Sequence, residues 1–323
     1  MASVVRKVAR PVIPPTDVES FAECLKGSRR ILALLGAGIS AASGLPTFRG
    51  AGGLWRSFDA TVLATPEAFD DNPGLVWQFY SYRRHMALQA QPNRAHYALA
   101  ELSRKNKDFI TLSQNVDGLS QRAGHPMEQL KLLHGSLFDT KCTSFYCDYT
   151  ATNDFTDPIV PALGIPQKKS FPAASGDDDT SEAASVGQLP GLAEVDISDA
   201  NNPLAELSVD DLPKCPKCNS LLRPGVVWFG EPLPGDTIDY MDKWIESEPV
   251  DLMLVIGTSS RVYPAAGYTD LARKHGARVA VINMDPNDVS GRHSKGMGKG
   301  DWFFQGDASV IVPEILKSVI GET

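Results

Sequence analysis

The chain is predicted to fold as a doubly wound, Rossmann-like parallel α/β sheet that carries a smaller cysteine-bearing module. Three observations predict it. The first is a set of short apolar runs at 30–35, 109–112, 252–256 and 278–282. They lack polar alternation, as expected of strands buried on both faces. The second is that helical stretches at 74–89, 93–105, 265–275 and 308–320 lie between or after those runs. Strands alternating with helices make a parallel sheet. The third is a pair of cysteine couples, Cys142 with Cys147 and Cys215 with Cys218, set apart from that alternation.

With 323 residues, 42% of them hydrophobic, the chain can bury one large core and a second, smaller one. No run of about 18 apolar residues is present, so no membrane-spanning helix is expected. Residues 1–15 hold Arg6, Lys7 and Arg10 among Pro11, Pro14 and Pro15. A solvated basic tail is expected there rather than a secretory signal, with a short mitochondrial presequence as the alternative. Five cysteines without such a signal argue for reduced thiols and an intracellular setting. The net charge of −8 gives no reason to expect nucleic-acid binding, and nothing demands an interface, so a monomer is expected. The acidity is local. Ten acidic residues and no Lys or Arg fall between 170 and 212, leaving 31 basic against 29 acidic residues elsewhere. Such composition cannot bury enough surface to offset ordering entropy. A flexible acidic insertion over 167–212 is therefore expected. The expected organisation is a basic tail at 1–15 and a discontinuous sheet domain of 16–135 and 221–323, with a helical part at about 45–105. A cysteine module at 136–220 is interrupted by the insertion.

Gly36-Ala37-Gly38-Ile39-Ser40 follows the first apolar run directly. Gly-x-Gly-x-x-Ala is the looser dinucleotide fingerprint: glycines let the backbone approach a pyrophosphate, and the following helix offers its first amides. A plain strand-to-helix turn fits the same residues. Ser113-Gln114-Asn115-Val116-Asp117 and Gly257-Thr258-Ser259 also follow strands. Ligands of such sheets bind beyond the carboxyl ends of the strands, so these three loops should converge. A hydride-transfer enzyme would place an acid at the end of its second strand, roughly 20 residues on. Asp59 has that spacing but ends no apolar strand. His134, in Leu132-Leu133-His134-Gly135-Ser136, suits proton transfer near neutral pH. An ordinary strand-end histidine would read the same in isolation. Cys142-x4-Cys147 and Cys215-x2-Cys218 offer four thiolates, a donor set for a closed tetrahedral structural zinc with no open position for chemistry. Four reduced thiols in a small subdomain remain the alternative. Cys24 is expected to be a core residue of the first helix.

These segments, in this order and with Pro46-Thr47-Phe48-Arg49-Gly50 after the glycine turn, resemble the sirtuin family of NAD-dependent protein-lysine deacylases. The resemblance spans about 21–320 apart from the acidic insertion. It implies that NAD is a co-substrate held by Gly36, Ala37, Gly38, Ser40, Phe48, Arg49, Gln114, Asn115, Asp117, Gly257, Thr258, Ser259, Asn283, Met284, Asp285 and Ala308. It further implies that His134 is the base for a ribose hydroxyl, with Gln114 orienting that histidine or the ribose, and Asn115 and Asp117 lining the nicotinamide pocket, where Asn115 also positions a water. Val227, Trp228, Phe229, Gly230 and Glu231 look like the family's substrate segment, where an acyl-lysine peptide adds as a strand facing 260–264. The x4 spacing of the first cysteine pair departs from the family's CxxC and puts Cys147 in doubt as a ligand.

Tyr80 and Arg83 are three residues apart on one predicted helix and share a face. A phenol and a guanidinium together hold a carboxylate well. This pair, with Ala64 and Ala68 as small residues, resembles the class III sirtuins, which remove succinyl, malonyl and glutaryl groups from lysine. The products implied are lysine, nicotinamide and acyl-ADP-ribose, with acetyl a poorer substrate and histones or metabolic enzymes as targets. Mitochondrion, cytosol and nucleus all stay open, the first favoured by the subfamily. Three readings stay open beside this one: a general deacetylase, a protein mono-ADP-ribosyltransferase, and a non-enzymatic NAD-binding interaction module.

Overall fold

The computed structural model describes residues 15–47, 53–167, 194–286, 297–298 and 300–322. The basic tail up to residue 14, Phe48 and Arg49, and the insertion from 168 to 193 lie outside the described residues. In chain order the elements begin with α1 (Pro15–Gly27), β1 (Ile31–Leu35), a 3-10 segment Ala37–Ser43, and the short hairpin β2 (Leu54–Trp55) and β3 (Phe58–Asp59). Four helices come after it: α2 (Ala60–Leu63), α3 (Pro66–Asp71), α4 (Pro73–Gln89) and α5 (Arg94–Lys105). Next come β4 (Phe109–Ser113), α6 (Leu119–Arg122), β5 (Leu130–Leu132), β6 (Gly135–Cys142), β7 (Thr150–Ala151) and β8 (Leu222–Val226). The chain closes with α7 (Gly235–Ser247), β9 (Leu252–Ile256), α8 (Gly267–Lys274), β10 (Arg278–Asn283), β11 (Trp302–Gln305) and α9 (Ala308–Ile320).

Six strands form one parallel sheet in the order β11-β10-β9-β1-β4-β5. Its apolar runs divide by period two. Ile31, Ala33 and Leu35 of β1 face a core shared with α1, α5 and α9, whereas Leu32 and Leu34 face one shared with α7 and α8. The same alternation holds in β9, with Leu252, Leu254 and Ile256 on one side and Met253 and Val255 on the other. Helices on both faces explain why these strands show no polar positions. The chain runs outward from β1 to β4 and β5, then returns to β9 on the other side of β1. That reversal is the topological switch point, where such sheets open a crevice.

The expected strands and helices occur within about two residues of their predicted ends. The edge strands β5 and β11 and helix α7 were not anticipated. A third core joins α2–α4 to β6, β8 and the cysteine module through Trp77, Phe79, Tyr80, Phe138, Cys215 and Trp228. Helices α2–α4 thus share the core of the cysteine module rather than that of the sheet, where the sequence pattern grouped them. Arg84, 1% exposed, ties α4 to this module by donating to the carbonyls of Leu137, Asp154 and Thr156.

Part of the insertion expected over 167–212 falls within the described residues. Residues 194–212 are packed: Ile197 and Leu212 are buried, Gln78 donates to the Ala205 carbonyl at 2.7 Å, and Arg56 donates to the carbonyls of Ile197, Ala200 and Asn202. A single guanidinium satisfying three carbonyls, with apolar residues at intervals, orders a segment whose overall composition reads as disordered.

Candidate active site

The loops after β1, β4, β9 and β10 meet over the switch point around a cavity of about 710 Å³. The Gly36 amide donates to the Ile256 carbonyl at 2.9 Å, and the Gly38 amide to the Gly257 carbonyl at 2.8 Å. A Cβ on Gly36 would lie 2.6 Å from Thr258 Cβ, and one on Gly257 would lie 2.5 Å from the Ile39 amide nitrogen. Gly257 also has φ +61. The glycines therefore let two loops cross in contact, a demand the fingerprint reading did not contain. Beyond Gly36 the chain winds into a seven-residue 3-10 segment, not the α-helix expected.

His134 sits between β5 and β6. Its Nδ1–H donates to the Gln114 carbonyl at 2.8 Å, since a carbonyl only accepts. The neutral ring then keeps a lone pair on Nε2. Burial pushes the His134 pKa below its ordinary value, with the Gln114 bond opposing, so the ring is a neutral base at pH 7. Gly135, at φ +73, turns the chain into β6 where a Cβ would meet the Gly225 carbonyl at 2.2 Å. This explains the His-Gly dipeptide. Gln114 orients His134 through its main chain. Its side-chain amide instead donates to the Thr258 hydroxyl at 3.1 Å and to the Leu35 carbonyl at 3.3 Å. The Asn115 amide donates to the Gly36 carbonyl at 3.1 Å and Ser40 Oγ at 3.3 Å, and Ser40 donates to Asp117 at 2.7 Å. On the β10 side, Asn283 donates to the Thr258 carbonyl at 2.8 Å.

Val227 to Glu231 form one wall, held by the Val227 amide on the His134 carbonyl and the Phe229 amide on the Ala64 carbonyl, each 2.9 Å. Residues 261–264 form another wall. Tyr80 and Arg83 both line the cavity, and the Arg83 guanidinium carbon lies 5.8 Å from the Tyr80 ring centre. Burial of the phenol pushes the Tyr80 pKa up to about 12, which keeps it a donor.

Among the described residues, the expected positions that line this cavity are Gly36, Ala37, Gly38, Ser40, Ala64, Tyr80, Arg83, Gln114, Asn115, Asp117, His134, Val227 to Glu231, Gly257 to Ser259 and Asn283 to Asp285. Two depart. Ala68 lies in the first turn of α3, where its amide bonds Thr65 Oγ1, and it is partly buried against the third core, outside the residues that line the cavity. Ala308 lines an adjoining recess of about 230 Å³ that shares Gly38 and Asn283 with the main one. Met86 and Ala87, one turn beyond Arg83, line the cavity and were missed, although helical spacing from Tyr80 and Arg83 points to them.

The four cysteine sulfurs lie within 4.8 Å of one another, with Cys142 and Cys218 Sγ 3.4 Å apart and Cys147 and Cys215 Sγ 3.7 Å apart. Zinc–thiolate bonds of about 2.3 Å make a tetrahedron with edges of about 3.8 Å, so the set fits a zinc ion and includes Cys147. Cys142 ends β6, opposite Leu222 at the start of β8, whereas His134 precedes the other end, where Gly135 pairs with Val226. A metal there would hold the far end of β6 and β8 and take no part at the cavity.

The Sir2 family model matches residues 36–264. An NAD-dependent protein deacylase of Candida albicans is 47% identical over 318 residues, 95% of this chain and 99% of that protein. The mitochondrial NAD-dependent protein deacylase sirtuin-5 of Xenopus tropicalis is 41% identical over 278 residues, 84% of this chain and 78% of that protein. Among solved structures, a Sir2 homolog–NAD complex superposes with a TM-score of 0.66 at 32% identity, covering 95% of this chain and 94% of that one. A Sir2–p53 peptide–NAD+ complex superposes with a TM-score of 0.65 at 26% identity, covering 93% and 97%.

Proposed function

The chain belongs to the Sir2 family and is an NAD-dependent protein deacylase, and from that premise we propose that it removes short dicarboxylic acyl groups (succinyl, malonyl or glutaryl) from lysine side chains. The observation that carries this reading is the buried phenol of Tyr80 beside the partly buried guanidinium of Arg83 in the cavity that holds His134. Two convergent donors, one of them charged, match a carboxylate and are wasted on a methyl group.

NAD as co-substrate supplies the leaving group nicotinamide and takes up the acyl group, giving lysine and acyl-ADP-ribose. The crossing glycine loops with Ser40, Asn115, Asp117, Thr258 and Asn283 are read as its seat. His134 Nε2 is read as the base that takes a proton from a ribose hydroxyl, with the Gln114 carbonyl holding the ring in the required tautomer. The segment from Val227 to Phe229 facing 261–263 is read as the groove for the acyl-lysine peptide, which main-chain bonds would hold with little sequence demand. The four cysteines are read as ligands of one structural zinc. A mitochondrial setting, printed in the names of the sirtuin-5 relatives, is the compartment that goes with this reading, and uptake of the full chain by isolated mitochondria tests it.

The deciding experiment measures nicotinamide release from NAD with matched succinyl-lysine and acetyl-lysine peptides. Wild type is expected to favour succinyl. Arg83→Met should lower the succinyl-to-acetyl ratio of kcat/KM by roughly 10- to 100-fold, the worth of a hydrogen bond to a charged partner. A wild type that favours acetyl, with little effect of Arg83→Met, makes the chain a general deacetylase. Label transferred to a protein in place of acyl release favours the ADP-ribosyltransferase reading.

A further inference from the structure

Beneath the cavity wall runs a chain of contacts that ends on Tyr80. Glu231 takes both ends of the Arg223 guanidinium, at 2.5 and 2.8 Å, and accepts the Trp228 amide at 2.8 Å. The Arg223 guanidinium carbon stands 3.3 Å from the centre of the Trp228 ring, and Phe69 stacks on that ring at 5.2 Å. Trp228 is thus fixed on several sides and 3% exposed. Its indole Nε1–H reaches the Tyr80 hydroxyl oxygen at 3.0 Å.

The direction of this last bond matters. An indole nitrogen only donates, so the Tyr80 oxygen must accept. Among the described residues the indole is the only hydrogen-bond partner of that hydroxyl. The phenol's own proton is left to point elsewhere, and its neighbour in the cavity, Arg83, cannot accept it. We infer that Trp228 is a positioning residue for acyl specificity: its indole N–H occupies the Tyr80 oxygen and so commits the Tyr80 proton to the acyl pocket. The inference rests on the dicarboxyl reading above and deepens it. The pocket end becomes donor-only, with a phenol O–H and a guanidinium. It selects acyl chains that end in acceptors and rejects those that end in donors. Without the indole, the phenol could turn its proton away and present a lone pair to a carboxylate, which repels it.

A double-mutant cycle over Trp228→Phe and Tyr80→Phe tests this, read as the succinyl-to-acetyl ratio of kcat/KM and as KM for the succinyl peptide. Trp228→Phe keeps an aromatic ring against Arg223 and Phe69 and removes the N–H. It should lower the ratio about three- to tenfold, through a raised KM for succinyl peptide. In the Tyr80→Phe background the same change should have no further effect on the ratio, because the group it acts through is gone. Equal losses in both backgrounds would overturn the inference and assign Trp228 a packing role only. If Phe disturbs the fold, benzothienylalanine at position 228 replaces only the N–H by sulfur and makes the same comparison. A wild type with no preference for succinyl overturns the dicarboxyl reading and this inference together. A wild type with that preference but an additive cycle overturns the inference alone.

Discussion

His134 shows how two opposing influences set the protonation state of one group. Burial lowers its pKa and the bond to the Gln114 carbonyl raises it, with burial the larger. Activity should therefore need the neutral ring, and the acidic limb of a kcat profile should fall below pH 6.5 rather than above it. His134→Ala should cut kcat by about 10²- to 10⁴-fold, the usual contribution of a general base. A variant within a few-fold of wild type would remove His134 from the chemistry. The adjacent Arg83 and Arg84 divide in the opposite way. Arg83 lines the cavity, while Arg84 is spent on three carbonyls of the cysteine module. Helical spacing from Tyr80 was enough to choose between them. Nothing in the sequence tells that Gln114 works on His134 through its carbonyl, because a main-chain contact leaves no mark on residue type.

The crossing of the loops after β1 and β9 is where an element-scale test is sharpest. Gly257→Ala forces a side chain into φ +61 with its Cβ 2.5 Å from a backbone nitrogen. Strain and overpacking together should destabilise by roughly 2–4 kcal/mol in urea unfolding. Gly27→Ala, with nothing within 4 Å, is the control and should be neutral or slightly stabilising. Similar effects from the two substitutions would mean that the loops can part at little cost. The buried central strands were legible because burial on both faces leaves them mostly apolar, with Thr111 and Ser113 of β4 as buried exceptions. The edge strands β5 and β11 are only three and four residues long. Such pieces carry too little pattern to separate from a loop. Residues 194–212 were misread for a related reason, since their order comes from Arg56 and Gln78, distant in sequence, and not from their own composition. Ala68 is expected in the pocket from the family resemblance, and in the structure it is partly buried against the third core, outside the residues that line the cavity.

At the scale of the whole molecule, the cysteine cluster and the sheet hold opposite ends of β6 and β8, and the cavity lies where those strands meet the sheet. A chelator should lower Tm by roughly 10 °C or more while releasing one zinc per chain, because the metal's binding energy is folding energy. Unchanged Tm on full release of zinc would make the cluster dispensable. Acid should loosen the molecule by a separate route. His96 is 1% exposed, and its Nδ1 accepts the Asn93 amide at 3.2 Å, which leaves Nε2 buried with no hydrogen-bond partner. A proton on both nitrogens would be poorly solvated, and burial pushes the His96 pKa down to about 4 against the opposing charge of Asp117. His125 is lowered by burial as well. A pKa lower in the folded than in the unfolded chain means that the unfolded chain binds the proton more tightly. His96 therefore supports the fold fully above pH 6.5, and that support is lost as pH falls from 6.5 towards 4. At pH 5 the loss from this one residue is about 2 kcal/mol. Carboxylates and zinc-bound thiolates add their own pH dependence, so the informative quantity is a difference of slopes. Urea melts between pH 6 and 5 should show stability falling less steeply in His96→Gln than in wild type, by about 1.2 kcal/mol per pH unit, a little under one proton's worth. Parallel slopes would mean that His96 is already protonated in the folded chain, with the charge of Asp117 outweighing the cost of burial.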